Sequence, residues 1–115
     1  MAVTYTTAAL VKKRLKVIAS SGLLDADIEE CIYESESIID SVMRDSLKAT
    51  FDAIKHAIIR QCCTDLAAFL CSIYDPTVFT ALPEYGSSVT LLWYSAERSL
   101  NILEDPRTVT YLKAL

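Results

Sequence analysis

Residues 54–70 read IKHAIIRQCCTDLAAFL, a histidine, two adjacent cysteines and an aspartate inside an apolar run. Those residue types bind metal or form a Cys-His nucleophile pair. Their spacing argues against both. On one helix His56 and Cys63 share a side, yet seven residues separate them by about 10.5 Å along the axis. Zinc ligands must approach to about 2.0–2.3 Å, and a thiolate needs its base within hydrogen-bond reach. No second histidine is present and no glycine-rich oxyanion turn accompanies the cysteines. Cys62 therefore reads as a small hydrophobe on the buried stripe. Cys63, roughly 100° further round, falls off that stripe. His56 is expected at the solvent edge. The chain also carries no phosphate-binding glycine loop, paired catalytic carboxylates, Ser-His-Asp set or basic-aromatic patch. The sequence thus assigns no catalytic residue, no cofactor and no metal ligand.

Asp65 is the residue that an apolar helix does not explain. It lies about 20° from Ile54 on the helical wheel, inside the apolar stripe. A buried carboxylate there requires a cation or several donors. Arg98, Ser95, Trp93 and a backbone cap are the candidates, unless the position tilts towards water.

Four helical segments position these side chains. The first starts near Thr7, an N-cap, and sets Val11, Leu15 and Ile18 on one stripe, with Ser20-Ser21-Gly22 stopping it. The second opens at Asp25 and repeats Ile28, Ile32, Ser35, Ile39 and Val42 in steps of four and three, ending near Arg44. Residues 44–52 form a polar connection. A long central helix over 53–74 buries Ile54, Ile58, Cys62, Leu66, Phe69 and Ile73, and Asp75-Pro76 ends it. After a loop with two prolines, Ser87 or Ser88 caps a fourth helix that runs to about Leu103 and stops at Asp105-Pro106. Its core stripe is Val89, Leu92, Ala96, Leu100 and Leu103, while Leu91 and Ile102 project from the other side beside Arg98. Tyr94 and Trp93 add to that outward apolar surface, which favours a subunit contact. The tail RTVTYLKAL alternates Val109 and Tyr111 like a strand. The expected fold is all-α: a small bundle of about four helices over 1–106, a mid-chain loop and an extended C-terminal tail over 107–115.

With 115 residues, 52% hydrophobic and 23% charged, and two glycines and three prolines, the composition is that of one globular, helix-rich domain. The net charge of −4 disfavours wrapping DNA or an anionic membrane. The charges are segregated. Lys12, Lys13, Arg14 and Lys16 occupy a segment without acids, and Asp25, Asp27, Glu29, Glu30, Glu34, Glu36 and Asp40 one without bases. Such faces are solvated, or they meet head to tail in an assembly. MAVTYTTAAL lacks the charged start and apolar core of a signal peptide, and no apolar run is long enough to span a membrane. Synthesis in the cytoplasm with Cys31, Cys62, Cys63 and Cys71 reduced is the expectation.

In order and spacing, YTTAALVKKRL, LLDADIEECIYESESIIDSVM, IKHAIIRQCCTDLAAFL and YSAERSLNIL resemble the head–tail connector (adaptor) proteins of tailed bacteriophages. The likeness spans about residues 4–104. Leu24-Asp25 through Ile38-Ile39-Asp40-Ser41 matches the family's second segment. Ile54-Lys55-His56-Ala57 and Asp65-Leu66-Ala67 match its third. Each motif is a helix-packing pattern; the order carries the resemblance. The chain departs from the family at Arg44-Asp45-Ser46-Leu47, where members often carry a Gly-Arg-Tyr-Pro-like stretch, and in the 14-residue loop of DPTVFTALPEYGSS before helix four.

The resemblance implies a virion structural protein of the neck, made in the host cytoplasm, with no enzymatic activity. It implies a homo-oligomeric, twelvefold ring between the portal protein and the next neck or tail-completion protein, with DNA passing through the lumen without sequence-specific binding. On that expectation Lys12, Lys13, Lys16, Glu29, Glu30, Glu36, Asp40, Leu91, Arg98 and Ile102 form subunit contacts. Thr108, Val109, Thr110, Tyr111 and Leu112 dock on the portal, as an added strand. Arg44, Asp45, Ser46, Leu47 and Lys48 face the channel or a neighbouring copy. The rival reading is a small helical DNA-binding regulator anchored by its basic first helix. A third is an enzyme subunit completed by a partner.

Overall fold

The computed structural model describes residues 3–15, 25–74 and 85–115, and these form five α-helices with no strand among them. Helix α1 spans Ala8–Leu15. Thr7 caps it: Leu10 N–H donates to Thr7 Oγ1 at 3.3 Å, which satisfies one of the orphan donors of the first turn. Ile18, Lys16 and the Ser20-Ser21-Gly22 stop lie outside the described residues.

Helix α2, Asp25–Met43, carries Asp25 and Asp27 in its first turn, where carboxylates complement the positive end of the helix dipole. It ends in a Schellman motif. Arg44 is left-handed with φ 57°, Arg44 N–H donates to Ser41 O at 3.3 Å and Asp45 N–H to Asp40 O at 3.2 Å. A side chain in that region costs roughly 1–2 kcal/mol relative to glycine, offset here by the two carbonyls it satisfies. The 44–52 connection contains one 3-10 turn, Lys48–Thr50.

Helix α3 begins at Ala57 and runs to Tyr74, four residues later than the expected start. The preceding turn is organised by Asp52, whose Oδ1 accepts from Ile54 N–H at 2.8 Å and Lys55 N–H at 3.0 Å. Because this turn is out of phase with the helix, Ile54 is 90% exposed rather than in the core. Ile73 is also exposed. Helix α3 packs against α1, α2 and α4, so Cys62 to Ala68 are all buried. Cys63 is therefore in the core with Cys62, because a helix covered by three others has no solvent side at its middle.

Helix α4 spans Tyr85–Glu104, starting before the Ser87 or Ser88 cap expected. Ala96 and Leu103 are buried, Leu92 and Leu100 half-buried, and the side chain of Val89 lies outside the described residues. Leu91 and Ile102 are exposed, as their wheel positions imply.

The tail is a helix, which corrects the extended reading. In α5, Pro106–Ala114, Asp105 is the N-cap and accepts from Arg107 N–H at 2.9 Å, with Pro106 at the first position. Asp105-Pro106 thus ends one helix by starting the next. The apolar spacing that matters is Val109 to Leu112, both buried, not Val109 to Tyr111; Tyr111 is exposed. Burying those two side chains contributes about 1.5–3 kcal/mol each before conformational entropy. The Arg107 guanidinium hydrogen-bonded to Asp105 holds that carboxyl below its usual range, and Lys113 does the same for Asp45 through a 2.6 Å bond.

His56 fastens α5 to the rest. It is buried, not at the solvent edge. Its Nδ1 accepts from Asp52 N–H at 3.1 Å, so Nε2 carries the proton and donates to Leu112 O at 2.8 Å. His56→Ala leaves that backbone donor and that acceptor unmatched and opens a void, at a cost of about 2 kcal/mol. Trypsin cleavage at Arg107 or Lys113 is then expected well below the denaturant midpoint. Unchanged cleavage would refute the fastening role.

Candidate functional site

Two carboxylates, Glu36 and Asp65, and the imidazole of His56 are turned inward. Glu36 is fully buried, and its Oε2 accepts from Thr4 N–H at 2.6 Å and Tyr5 N–H at 2.8 Å. Lys48 Nζ stands 3.6 Å from its Oε1, too long for a hydrogen bond, which leaves that oxygen with an ion pair alone. Tyr5, also fully buried, donates its hydroxyl to Asp40 Oδ1 at 2.6 Å and accepts Leu47 N–H at 3.1 Å. Burial, then the Asp40 carboxylate, raises the Tyr5 phenol above its ordinary range. The extended segment before α1 is pinned further by Arg60 Nε donating to Tyr5 O at 3.1 Å and by the Thr6–Thr64 hydroxyl pair at 2.7 Å.

Asp65 has two partners. Ser95 Oγ donates to Oδ2 in a short hydrogen bond, and Arg14 Nε lies 3.2 Å from Oδ1. The second contact lacks hydrogen-bond geometry, so Oδ1 is held by charge alone. Of the expected candidates Ser95 is used. Arg14 on α1 takes the place proposed for Arg98.

The cysteines are structural. Among the described residues no group of three or more His, Cys, Asp or Glu side chains could hold a metal ion. All four thiols are buried. Burial, with Asp65 nearby, pushes Cys62 up to about 12, and burial, with Glu36 nearby, moves Cys63 in the same direction. The Cys71 thiol bonds the Cys31 sulfur, which lowers Cys31 and raises Cys71. At about pH 7 the folded protein is expected to leave all four thiols unmodified by maleimide on the timescale on which a free thiol reacts. Unfolding in denaturant releases four. Rapid labelling of any thiol in the folded chain would contradict the packing.

The outward surface divides by charge and polarity. A groove of about 540 Å³ between α1 and α3 is lined by Leu10, Lys13, Arg14, Ala57, Arg60, Gln61 and Thr64. A second, about 420 Å³ between α3 and α4, shares Gln61 and collects Ile58, Leu91, Tyr94, Ser95, Arg98, Ser99 and Ile102. Leu91, Tyr94 and Ile102 are 66%, 62% and 43% exposed, so α4 presents an uncovered apolar stripe around Arg98. The outer side of α2 is acidic, with Asp25, Asp27, Glu30 and Glu34 exposed and Glu29 half-buried. Tyr33 and Ile38 are exposed on the same helix, and Lys48 Nζ lies 5.9 Å from the Tyr33 ring centre.

The expected contact residues separate accordingly. Lys13 lies on the basic groove, and Leu91, Arg98 and Ile102 come together on the apolar one. Lys12 is paired with Asp25 of its own chain. Glu36 and Asp40 are internal partners of the N-terminal segment, not surface acids. Lys16 lies outside the described residues. In the 44–52 connection Leu47 is buried and Asp45 is tied to Lys113, whereas Arg44 and Ser46 are exposed and Lys48 half-buried. In α5, Val109 and Leu112 are core, Thr108 half-buried, and Thr110 and Tyr111 face outward. Sequence reasoning missed Tyr5, Arg60 and the Arg14–Asp65 pair. Each depends on a contact between residues far apart in the chain, which nothing local marks. No protein-family model, curated protein or solved structure matches this chain.

Proposed function

We propose that this chain is a structural adaptor of the tailed-bacteriophage neck, a ring-forming, non-enzymatic subunit that joins the portal vertex to the next neck or tail-completion protein. The observation that carries the reading is one small helical bundle bearing opposite charges on separate patches. A cationic groove lies between α1 and α3, an acidic outer side lies on α2, and each has apolar side chains within it. Patches of that kind suit heterologous subunit contacts that close into a ring. The order of helices and of the motifs Asp25 to Ser41 and Ile54 to Ala67 supports the same family. An acidic chain at −4 also suits a lumen that DNA slides through without adhering.

Strand addition at a portal sheet edge is replaced by a helical contact, because residues 106–114 are folded and buried on one side. The outward side of α5, with Thr110 and Tyr111, is the portal-facing element in this reading. The test is co-expression with the portal protein of the same genome, followed by gel filtration. Co-elution at ring mass supports the adaptor, and separate elution from both empty and DNA-filled heads overturns it. Tyr111→Ala, which leaves the α5 core contacts intact, should weaken co-elution without changing the melting temperature.

A further inference from the structure

We infer that the groove between α1 and α3 receives the acidic outer side of α2 from a second copy of the same chain. The inference rests on the ring-forming reading and names its subunit contact. Leu10 and Ala57 give the groove an apolar part, and Lys13, Arg14 and Arg60 line it beside them. Arg14 and Arg60 each use Nε internally, on Asp65 and on Tyr5 O. Among the described residues their terminal N–H groups make no hydrogen bond, with the Arg60 guanidinium lying 5.5 Å from the Phe51 ring centre, and an incoming carboxylate can engage them as a fork.

The matching surface is on α2. Asp27, Glu30 and Tyr33 recur at steps of three along its exposed side, and Ile38, about 20° from Asp27 in helical phase, adds an exposed aliphatic side chain three turns on. An acidic helix with one ring and one branched aliphatic side chain fits a cationic groove with an apolar part. Lys13 in the groove and Asp27 and Glu30 on α2 are exposed charges in the single chain, while Arg14 and Arg60 offer what their internal contacts leave over. A polyanion such as nucleic acid is the poorer occupant. Three cations in one groove of a chain with net charge −4 give a weak, salt-sensitive hold on a phosphate backbone. Because groove and helix side are different patches, the contact is heterologous and each copy both gives and receives.

A charge-swap experiment tests this. Lys13→Glu and Glu30→Lys alter exposed positions, and circular dichroism verifies that each variant is folded. In sedimentation velocity at low salt the wild type should associate with rising concentration. Each variant alone should associate at least about tenfold more weakly, since like charges then meet. An equimolar mixture should recover wild-type association. The acidified groove of the first variant accepts the basic helix of the second, and the two unaltered surfaces also match. Wild type that stays monomeric, variants that associate like wild type, or a mixture that fails to recover each overturn the contact. Portal co-elution is a separate readout. A chain that co-elutes with portal protein but fails the swap keeps the adaptor reading and loses this contact. One that passes the swap and ignores the portal protein keeps the contact and loses the adaptor.

Discussion

Replacing Glu36 with alanine is expected to lower the unfolding free energy by about 3 kcal/mol, read as a shift of the urea midpoint at unchanged slope. Two backbone donors, Thr4 N–H and Tyr5 N–H, depend on its Oε2. Each costs about 1–3 kcal/mol if left buried and unmatched. Tyr5 then loses its register over α2, and with it the Tyr5–Asp40 and Tyr5–Leu47 bonds and the ring contact with Phe51 at 5.3 Å. Lys48 adds little to the loss, because its side chain is 35% exposed and turns to water. Glu36→Gln keeps one carbonyl acceptor for the two N–H groups but sets an amide beside Lys48. About half the alanine effect is expected there. A midpoint for Glu36→Ala within about 0.5 kcal/mol of wild type would show that residues 3–6 do not rest on this carboxylate.

Glu36 also shows where sequence reading stops. By helical phase it sits one position past Ser35, and in an acidic stretch it reads as one more surface carboxylate. Its role is set by the segment 31 and 32 residues away that lies across it. His56 is alike: its two partners are Asp52, four residues before it, and Leu112, 56 residues after it. The local partner is a backbone N–H that nearly any residue at 52 would supply, and the distant one is a carbonyl of another helix, so neither is marked by residue type. What the sequence did show is whatever depends on neighbours in the chain. Thr7 as a cap, the acid-led start of α2 at Asp25, its Ile28–Ile32–Ile39 stripe and the outward Leu91 and Ile102 all follow from spacing and propensity. Asp105-Pro106 was legible too, but ambiguous. The dipeptide breaks a helix on its N-terminal side and caps one on its C-terminal side, and only the Val109–Leu112 spacing decides between them. Cys63 was misplaced for a third reason. A single amphipathic stripe describes a helix with one covered side, and α3 is covered by α1, α2 and α4. The charged surfaces were half legible: the sequence places the charges on α1 and α2, but which of them remain outside depends on the pairs formed inside.

Asp65 and Arg14 form the pair on which the second large effect is expected. Arg14→Ala should cost about 2–3 kcal/mol, since it leaves a fully buried carboxylate with only the Ser95 hydroxyl. Arg14 is 45% exposed, which keeps the value below that of an entirely buried pair. Asp65→Ala should cost less, about 1–2 kcal/mol, because both its partners turn to water when released. The double variant should cost at least about 1 kcal/mol less than the sum, as two residues in contact require. A non-polar replacement separates stability from purpose. Asp65→Leu with Arg14→Met fills the same space and should be as stable as wild type or more so, because desolvating the ions offsets most of their attraction. Arg14 also lines the α1–α3 groove, and Asp65 fixes where its guanidinium stands. If that placement is why the pair exists, the non-polar double variant keeps its melting temperature and self-associates about tenfold more weakly than wild type. Equal association by sedimentation would show instead that the buried carboxylate serves the bundle alone.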